Sequence, residues 1–422
     1  MRAQAVAGGL PAGPGVINLC ERRALFIIGF RAALIRGQTT YLPASRAPGV
    51  VSDVLGAYPG STCIDDARVL DAFASATSPA VPPTAPLGDV PPALVAALAF
   101  TSGTTGVPQQ HRKTWRALLA SSAFNAAAVR AALPDAVRGL IPWIVATVPP
   151  QHLYGFETSV LLPLIGGMAV HAGRPLFPAD VADALAQVPE PRILVTTPVH
   201  LRALLESTQR FPEIALVISA TAPLQAELAG AVETRLATRV LEMFGSTETC
   251  VIATRQTVRE SAWTSYPGVT LEPGEKQTLV RAPWFEEPAS LQDILEVQSD
   301  GRFHLRGRNA DMIEVAGKRA SLSELTERLR ALDGVLDAEV FQLDAPPGGG
   351  GGGGVRRVAA LVVAPGRRAE DLAAAYAGRV DPAFLPRPLV LVESLPRNEL
   401  GKLPRAKLLA ALRSHHAEDG GH

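Results

Sequence analysis

Phe100-Thr-Ser-Gly-Thr-Thr-Gly-Val-Pro108 is the stretch on which the reading of this chain turns. It continues the apolar run Leu94-Val-Ala-Ala-Leu-Ala-Phe100, whose length suits a buried strand or the end of a helix. Thr101, Ser102, Gly103, Thr104, Thr105 and Gly106 follow one another without a break. The glycines let the backbone turn tightly and bring its N–H groups close to an anion. The hydroxyls add donors for phosphate oxygens. A Ser/Thr/Gly segment alone is more often a linker, so the sequence around it decides.

Working outward, 422 residues are too many for one ordinary core, and two or three domains are expected. With 47% hydrophobic residues and a formal net charge of zero, the composition is that of a globular protein. No basic block suits a nucleic acid. Cys20, Cys63 and Cys250 have no metal-ligand spacing, and their odd number argues against a disulfide framework. The first ten residues lack the apolar core of a signal peptide, and no apolar run is long enough for a membrane span. The expected location is cytoplasmic. Of the 40 basic residues, 35 are Arg and 5 are Lys, so a lysine here marks a place where the compact ammonium is needed.

Residues 23–43 read as an amphipathic helix stopped by Gly37 and followed by a strand. Ser78–Pro92 reads as a Pro-rich linker. Strand-like runs at Leu140–Val148, Met168–His171, Ile193–Thr196, Ala215–Ser219 and Val240–Phe244 alternate with helical ones, which predicts a mostly parallel α/β sheet. In such sheets ligands sit at the carboxyl ends of the strands. From about Arg308 a smaller unit follows: helix Ser321–Leu332, strands Ala338–Leu343 and Val355–Val363, helix Ala369–Ala377 and a basic tail. The glycines Gly348–Gly354 satisfy a dinucleotide pattern trivially, but with no helix after them they read as a loop.

Three further segments fall in order: Met243-Phe-Gly-Ser-Thr-Glu-Thr249, Gly307-Arg-Asn-Ala-Asp-Met-Ile313 and Leu395-Pro-Arg-Asn-Glu-Leu-Gly-Lys402. With the first loop they resemble the core motifs of the acyl-adenylate-forming superfamily, from about residue 18 to about residue 410. That family includes acyl- and aryl-CoA synthetases, nonribosomal adenylation domains and luciferases. The resemblance implies an α/β fold with a large N-terminal AMP-binding domain, residues 1–307, and a small mobile α+β C-terminal domain, residues 308–422. Members usually carry further elements before the helix at residues 23–36, so a trimmed N-terminal subdomain or a lost start is expected.

The resemblance also implies an activity. A carboxylate attacks the α-phosphate of ATP, pyrophosphate leaves, and the acyl group passes to the pantetheine thiol of an acyl carrier protein or CoA. Thr101, Ser102, Gly103, Thr104, Thr105 and Gly106 would wrap phosphates; Gly245, Ser246 and Thr247 would add ATP contacts; and Glu248 would hold Mg²⁺. Asp293 would accept the ribose hydroxyls beside Arg308, and Lys402 would neutralise charge at the reacting carboxylate and α-phosphate. His152, Tyr154, Gly155, Ser219, Ala220, Thr221 and Phe244 would line the acid pocket, and Ala316 and Gly317 the thiol channel. A satisfied core histidine is the alternative for His152. Tyr154 stands where amino-acid-activating members place an Asp, which argues against an amino acid, although nearby Glu157 keeps that option open.

Some positions depart from the family pattern. Gln109 replaces the usual loop lysine, with His111, Arg112 and Lys113 as candidate substitutes for its charge. Ala310 stands at the pivot and Glu314 at a position where lysine is common. These departures leave open a non-catalytic fold kept as a carrier-protein binding partner. Ile17-Asn-Leu-Cys-Glu21, Arg36-Gly-Gln38, Leu42-Pro43 and Gln109-Gln-His-Arg-Lys-Thr-Trp115 further resemble the short ligases of aryl-polyene and xanthomonadin pigment clusters, which implies a hydroxybenzoate-type acid.

Overall fold

Leu25, Phe26, Phe30, Ala33 and Leu34 give helix Arg23–Ile35 one buried face, and Gly37, at φ +65°, closes its end where a side chain would be strained. This helix belongs to a computed structural model that describes residues 2–43, 45–74, 90–101, 109–274, 277–308, 312–315, 318–343, 358–398 and 401–419. The described chain forms two compact units, residues 1–270 with 280–289, and residues 271–279 with 290–422.

The first unit holds two sheets. In the smaller, Thr62–Ile64, Gly15–Asn18, Thr39–Leu42 and Val95–Thr101 run parallel, and Gln109–Thr114 returns antiparallel beside Val95–Thr101. The larger has seven strands in the order Thr264–Ser265, Cys250–Arg255, Val240–Ser246, Leu216–Ser219, Arg192–Thr196, Trp143–Ala146 and Ala169–Val170. Its last five are parallel, as the alternation of strand and helix predicts. Apart from Val170 on the edge strand, their β-branched and leucine side chains are buried, the usual condition of a parallel sheet covered by helices.

Arg23 joins the two sheets of this unit. It is fully buried, and its Nη2 donates to the carbonyls of Ala146 and Val148, each at 2.9 Å, while Nη1 donates to Ser159 Oγ. Burial first, and then the neighbouring Arg174 charge, pull its pKa down to about 9.

In the second unit, strand Val358–Val363 lies between Asp337–Gln342 and Leu389–Leu391. Its side chains alternate as the pleat requires. Val358, Ala360 and Val362 pack with Leu325 and Leu329 of helix Leu322–Arg330 and Leu372 and Tyr376 of helix Ala369–Ala377. Ala359 and Leu361 pack on the opposite face with Leu408 and Leu412. The basic tail is therefore a helix, Arg405–Asp419, whose leucines four residues apart cover a sheet face. The Pro-rich linker, apart from its last residues, and the glycine run lie outside the described residues.

Candidate active site

The parallel strands of the large sheet end together, and the described candidates of the first unit, Thr101 apart, sit at those ends or on the loops just beyond them. Strand Val240–Ser246 turns through Thr247, Glu248 and Thr249 into Cys250–Arg255. The turn is bonded to itself: Thr249 Oγ1 accepts from Ser246 N at 3.0 Å, Ser246 Oγ accepts from Thr249 N at 3.2 Å, and Thr249 Oγ1 donates to the Cys250 carbonyl at 2.8 Å. Cys250 takes φ +60°, a left-handed conformation that a non-glycine residue adopts only at a cost. A Cβ on Gly245 would overlap the Cys250 carbonyl and lie 2.7 Å from Val251 Cα. Gly245→Ala is accordingly expected to destabilise this unit by about 1–3 kcal/mol, read as a lower urea midpoint.

Glu248 is partly exposed on this turn, with its Oε1 3.9 Å from His111 Nε2. Burial alone would raise its pKa. The Ser246 hydroxyl, its own backbone N–H and the charges of His111 and Lys113 outweigh that and hold the carboxyl below its ordinary value. It is therefore an ionised hard-oxygen donor at neutral pH, which suits Mg²⁺. Among the described residues no group of three His, Cys, Asp or Glu side chains could hold a metal by itself.

Beneath the turn lies a polar layer that brings together Lys113 and Glu157, which the sequence does not connect. Lys113, 5% exposed, donates to the Glu248 carbonyl at 2.8 Å. Glu157, 1% exposed, accepts from Ser121 Oγ at 2.9 Å, Asn125 Nδ2 at 3.1 Å and Val251 N at 3.2 Å. Burial pushes the Glu157 carboxyl up, against these hydrogen bonds and the Lys113 charge. Tyr266 donates to Asn125 Oδ1 at 2.9 Å, and burial drives the Cys250 thiol up to about 12. The Glu157 carboxyl is thus hydrogen bonded within this layer on both oxygens.

The other pocket candidates lie at neighbouring strand ends. Tyr154 donates its hydroxyl to the carbonyls of Ile218 at 3.0 Å and Thr196 at 3.2 Å, so it ties two strand ends together and presents its ring, not its polar tip. Gly155 is held so close to Pro149 that a Cβ would overlap the Pro149 carbonyl. Ser219 is fully buried, Ala220 is 8% exposed, and Thr221 takes φ +80°. His152, partly buried, stands just before the short helix Leu153–Phe156 without a capping side-chain hydrogen bond. Phe244 lies 5.3 Å from the Trp263 ring, centroid to centroid. Thr147, Thr197 and His200, which sequence reading missed, stand at the same strand ends, with His200 Nδ1 3.0 Å from Thr197 Oγ1.

In the second unit Asp293 and Arg308 face each other directly across an antiparallel ladder. Asp293 is 8% exposed, and its carbonyl accepts from Thr278 Oγ1 at 2.9 Å. Lys402 is exposed, with its backbone N–H on Asn398 Oδ1 at 2.9 Å. Gly401, at φ +75°, closes the turn before it, so its conformation alone accounts for a glycine there. Arg397 donates to the Gly401 carbonyl at 2.8 Å and to Asp337 Oδ2 at 2.7 Å. Asp337→Asn should release this anchor and destabilise the second unit by about 1.5–3 kcal/mol, measured by denaturant unfolding.

Ser102, Gly103, Thr104, Thr105, Gly106, Ala310, Ala316 and Gly317 lie outside the described residues, as do the side chains of Thr101, Arg308 and Glu314.

Residues 16–276 match the family model described as AMP-binding enzyme, and the chain belongs to that family. It is similar to the 4-coumarate--CoA ligase of Halorhodospira halophila, 28% identical over 236 residues, which cover 56% of this chain and 56% of the relative. It is also similar to the fatty acid--[acyl-carrier-protein] ligase MmaC of Mycobacterium marinum, 27% identical over 131 residues, covering 31% of this chain and 24% of that protein. The chain thus spans about half the length of the first of these relatives and a quarter of the second. Among solved structures, ATP-bound MatB from Rhodopseudomonas palustris superposes with a TM-score of 0.76 at 19% identity, covering 98% of this chain and 92% of that one. At that identity the likeness is one of fold. No helix among the described residues is long and apolar enough to cross a membrane.

Proposed function

We propose that this protein is an AMP-forming acid–thiol ligase. A carboxylate oxygen attacks the α-phosphorus of ATP and pyrophosphate leaves. A thiol sulfur then attacks the acyl carbon, AMP leaves, and the thiol proton passes to solvent. The observation that carries this reading is the gathering of the Thr247–Glu248 turn, the Pro149–Gly155 corner and the Ser219–Thr221 loop at the carboxyl ends of one set of parallel strands. Open α/β sheets bind their ligands there.

Each residue then has a task set by charge. Thr247 donates to the α-phosphate, Asp293 accepts the ribose hydroxyls with Arg308 beside it, and Thr101–Gly106 enclose the outer phosphates. Glu248 would hold Mg²⁺, whose chemistry when bound is to neutralise phosphate charge. Lys402 offers its ammonium to the entering carboxylate and the α-phosphate. Tyr154, Ser219, Ala220, Thr221 and Phe244 bound the acid, and Ala316 and Gly317 the thiol path. The division at 307/308 between AMP-binding and cap domains is part of this reading, as are ATP and Mg²⁺ and a cytoplasmic location.

The acid proposed is aryl and hydroxybenzoate-like, in keeping with the resemblance to the pigment-cluster ligases. The acceptor is an acyl carrier protein or CoA. A relative named for 4-coumarate supports an aromatic acid, and one named for an acyl carrier protein supports that acceptor. ATP–pyrophosphate exchange over hydroxybenzoates, cinnamates, fatty acids and amino acids tests the proposal. Exchange confined to the aromatic acids is expected. Exchange only with fatty or amino acids would overturn the substrate, and none with any acid would overturn the activity.

A further inference from the structure

Gln109 leaves the phosphate loop without the lysine expected beside it, and three basic side chains follow within four residues. Strand Gln109–Thr114 sorts them by face. Arg112 is exposed, whereas His111 and Lys113, two residues apart, share the other face and both meet Glu248. Lys113 does so from below. It is nearly fully buried and donates a hydrogen bond to the Glu248 carbonyl at 2.8 Å. Its positive charge also acts on the Cys250 thiol and on the buried Glu157 carboxyl. An ammonium taken out of water needs such compensation, since a lone buried charge costs several kcal/mol.

We propose that Lys113 is a positioning residue for Glu248: its ammonium, balanced by Glu157, fixes the Glu248 backbone from beneath while His111 stands at the carboxylate, so the metal-binding oxygens are presented in one orientation. This rests on the reading of Glu248 as the Mg²⁺ ligand. It assigns Lys113 to the turn and not to the phosphates, so Lys113 does not replace the missing loop lysine. Three features support the assignment. The turn is closed by its own Ser246 and Thr249 hydroxyls, so a hold on the Glu248 carbonyl constrains the whole unit. Glu157 also accepts from Val251 N, one residue past Cys250, and pins the far side of the same turn. Lysine is scarce in this chain, and this one is spent in the interior.

The test uses Mn²⁺ as probe, with free and ATP-bound Mn²⁺ counted by electron paramagnetic resonance on the full chain, beside metal-free ATP binding by calorimetry. Lys113→Met is expected to weaken Mn²⁺·ATP binding by about 10–100-fold, the usual effect of losing a partner that orients a ligand, with metal-free ATP affinity unchanged. Because Lys113→Met strands the Glu157 carboxylate, the double variant Lys113→Met/Glu157→Gln is measured too. It should regain thermal stability without regaining metal affinity. Parental Mn²⁺·ATP affinity in the folded double variant, or equal loss of both forms of ATP, would overturn the proposal, and so would a parent that binds no Mn²⁺·ATP. A parent that binds Mn²⁺·ATP but exchanges no pyrophosphate with any acid would sink the ligase activity alone, and the Lys113 result would stand on its metal arm.

Discussion

Lys402→Ala is expected to lower acid-dependent ATP–pyrophosphate exchange by about 10²–10³-fold, the usual loss when one preorganised donor to developing charge is removed. Adenylation brings two anions together, and a carboxylate will not approach an α-phosphate unless positive charge stands between them. The side chain is exposed, so the substitution should leave the fold intact. Its loop stays anchored by Arg397, which holds the Gly401 carbonyl and Asp337. The loss should therefore fall on kcat, with the KM for ATP changed little, because this interaction is made in the transition state and scarcely in the ground state. Equal loss in ATP affinity and in turnover would mean that Lys402 binds nucleotide without assisting the chemistry.

Arg255→Met should produce the largest loss of stability, about 3–5 kcal/mol, the range for stripping one partner from a buried ion pair. Arg255 Nε meets Glu242 Oε2 at 2.7 Å, and the guanidinium also lies 4.4 Å from the centre of the Trp263 ring. Glu242 is 2% exposed and takes further hydrogen bonds from Thr257 Oγ1 at 2.8 Å and Leu224 N at 3.3 Å. Burial raises its pKa, and Arg255 is the first of the influences that draw it back. Without Arg255 the folded-state pKa rises further above the unfolded one. The sign follows: the variant's deficit should be smallest below the ordinary glutamate range, where the carboxyl is protonated in both states, and grow as pH rises. Chemical denaturation of parent and variant across that range checks it. A deficit that is flat with pH would mean that lost packing on Trp263, and not the stranded charge, is responsible.

The parallel sheet was legible because its strands are short apolar runs separated by helical ones, and few other folds produce that alternation. The Gly245–Thr249 turn was legible because a glycine and four hydroxyls or carboxylates in a row leave few alternatives. Lys113 was not legible as an interior residue. Gln109-Gln-His-Arg-Lys-Thr114 has no apolar alternation, and its strand exists because Val95–Thr101 offers an unpaired edge. Yet the scarcity of lysine in this chain applies to Lys113 as it does to Lys402, and it was the signal in the sequence for a special place. Glu157 was hidden for a related reason. Its partners Ser121, Asn125 and Val251 come from three separate segments. The tail helix escaped because Arg405, Lys407, Arg413 and His415 mask the two leucines that decide its packing.

The guanidinium of Arg23 reaches partners 123, 125 and 136 residues further along the chain. On the ribosome, helix Arg23–Ile35 emerges long before Ala146, Val148 or Ser159 exists to receive its first side chain. The helix can form early, but it cannot be locked until strand Trp143–Ala146 and the turn after it have been made. Closing so long a loop is slow relative to local helix formation. Helix Arg23–Ile35 therefore lacks the three bonds that tie it to the large sheet until the chain as far as Ser159 has been made.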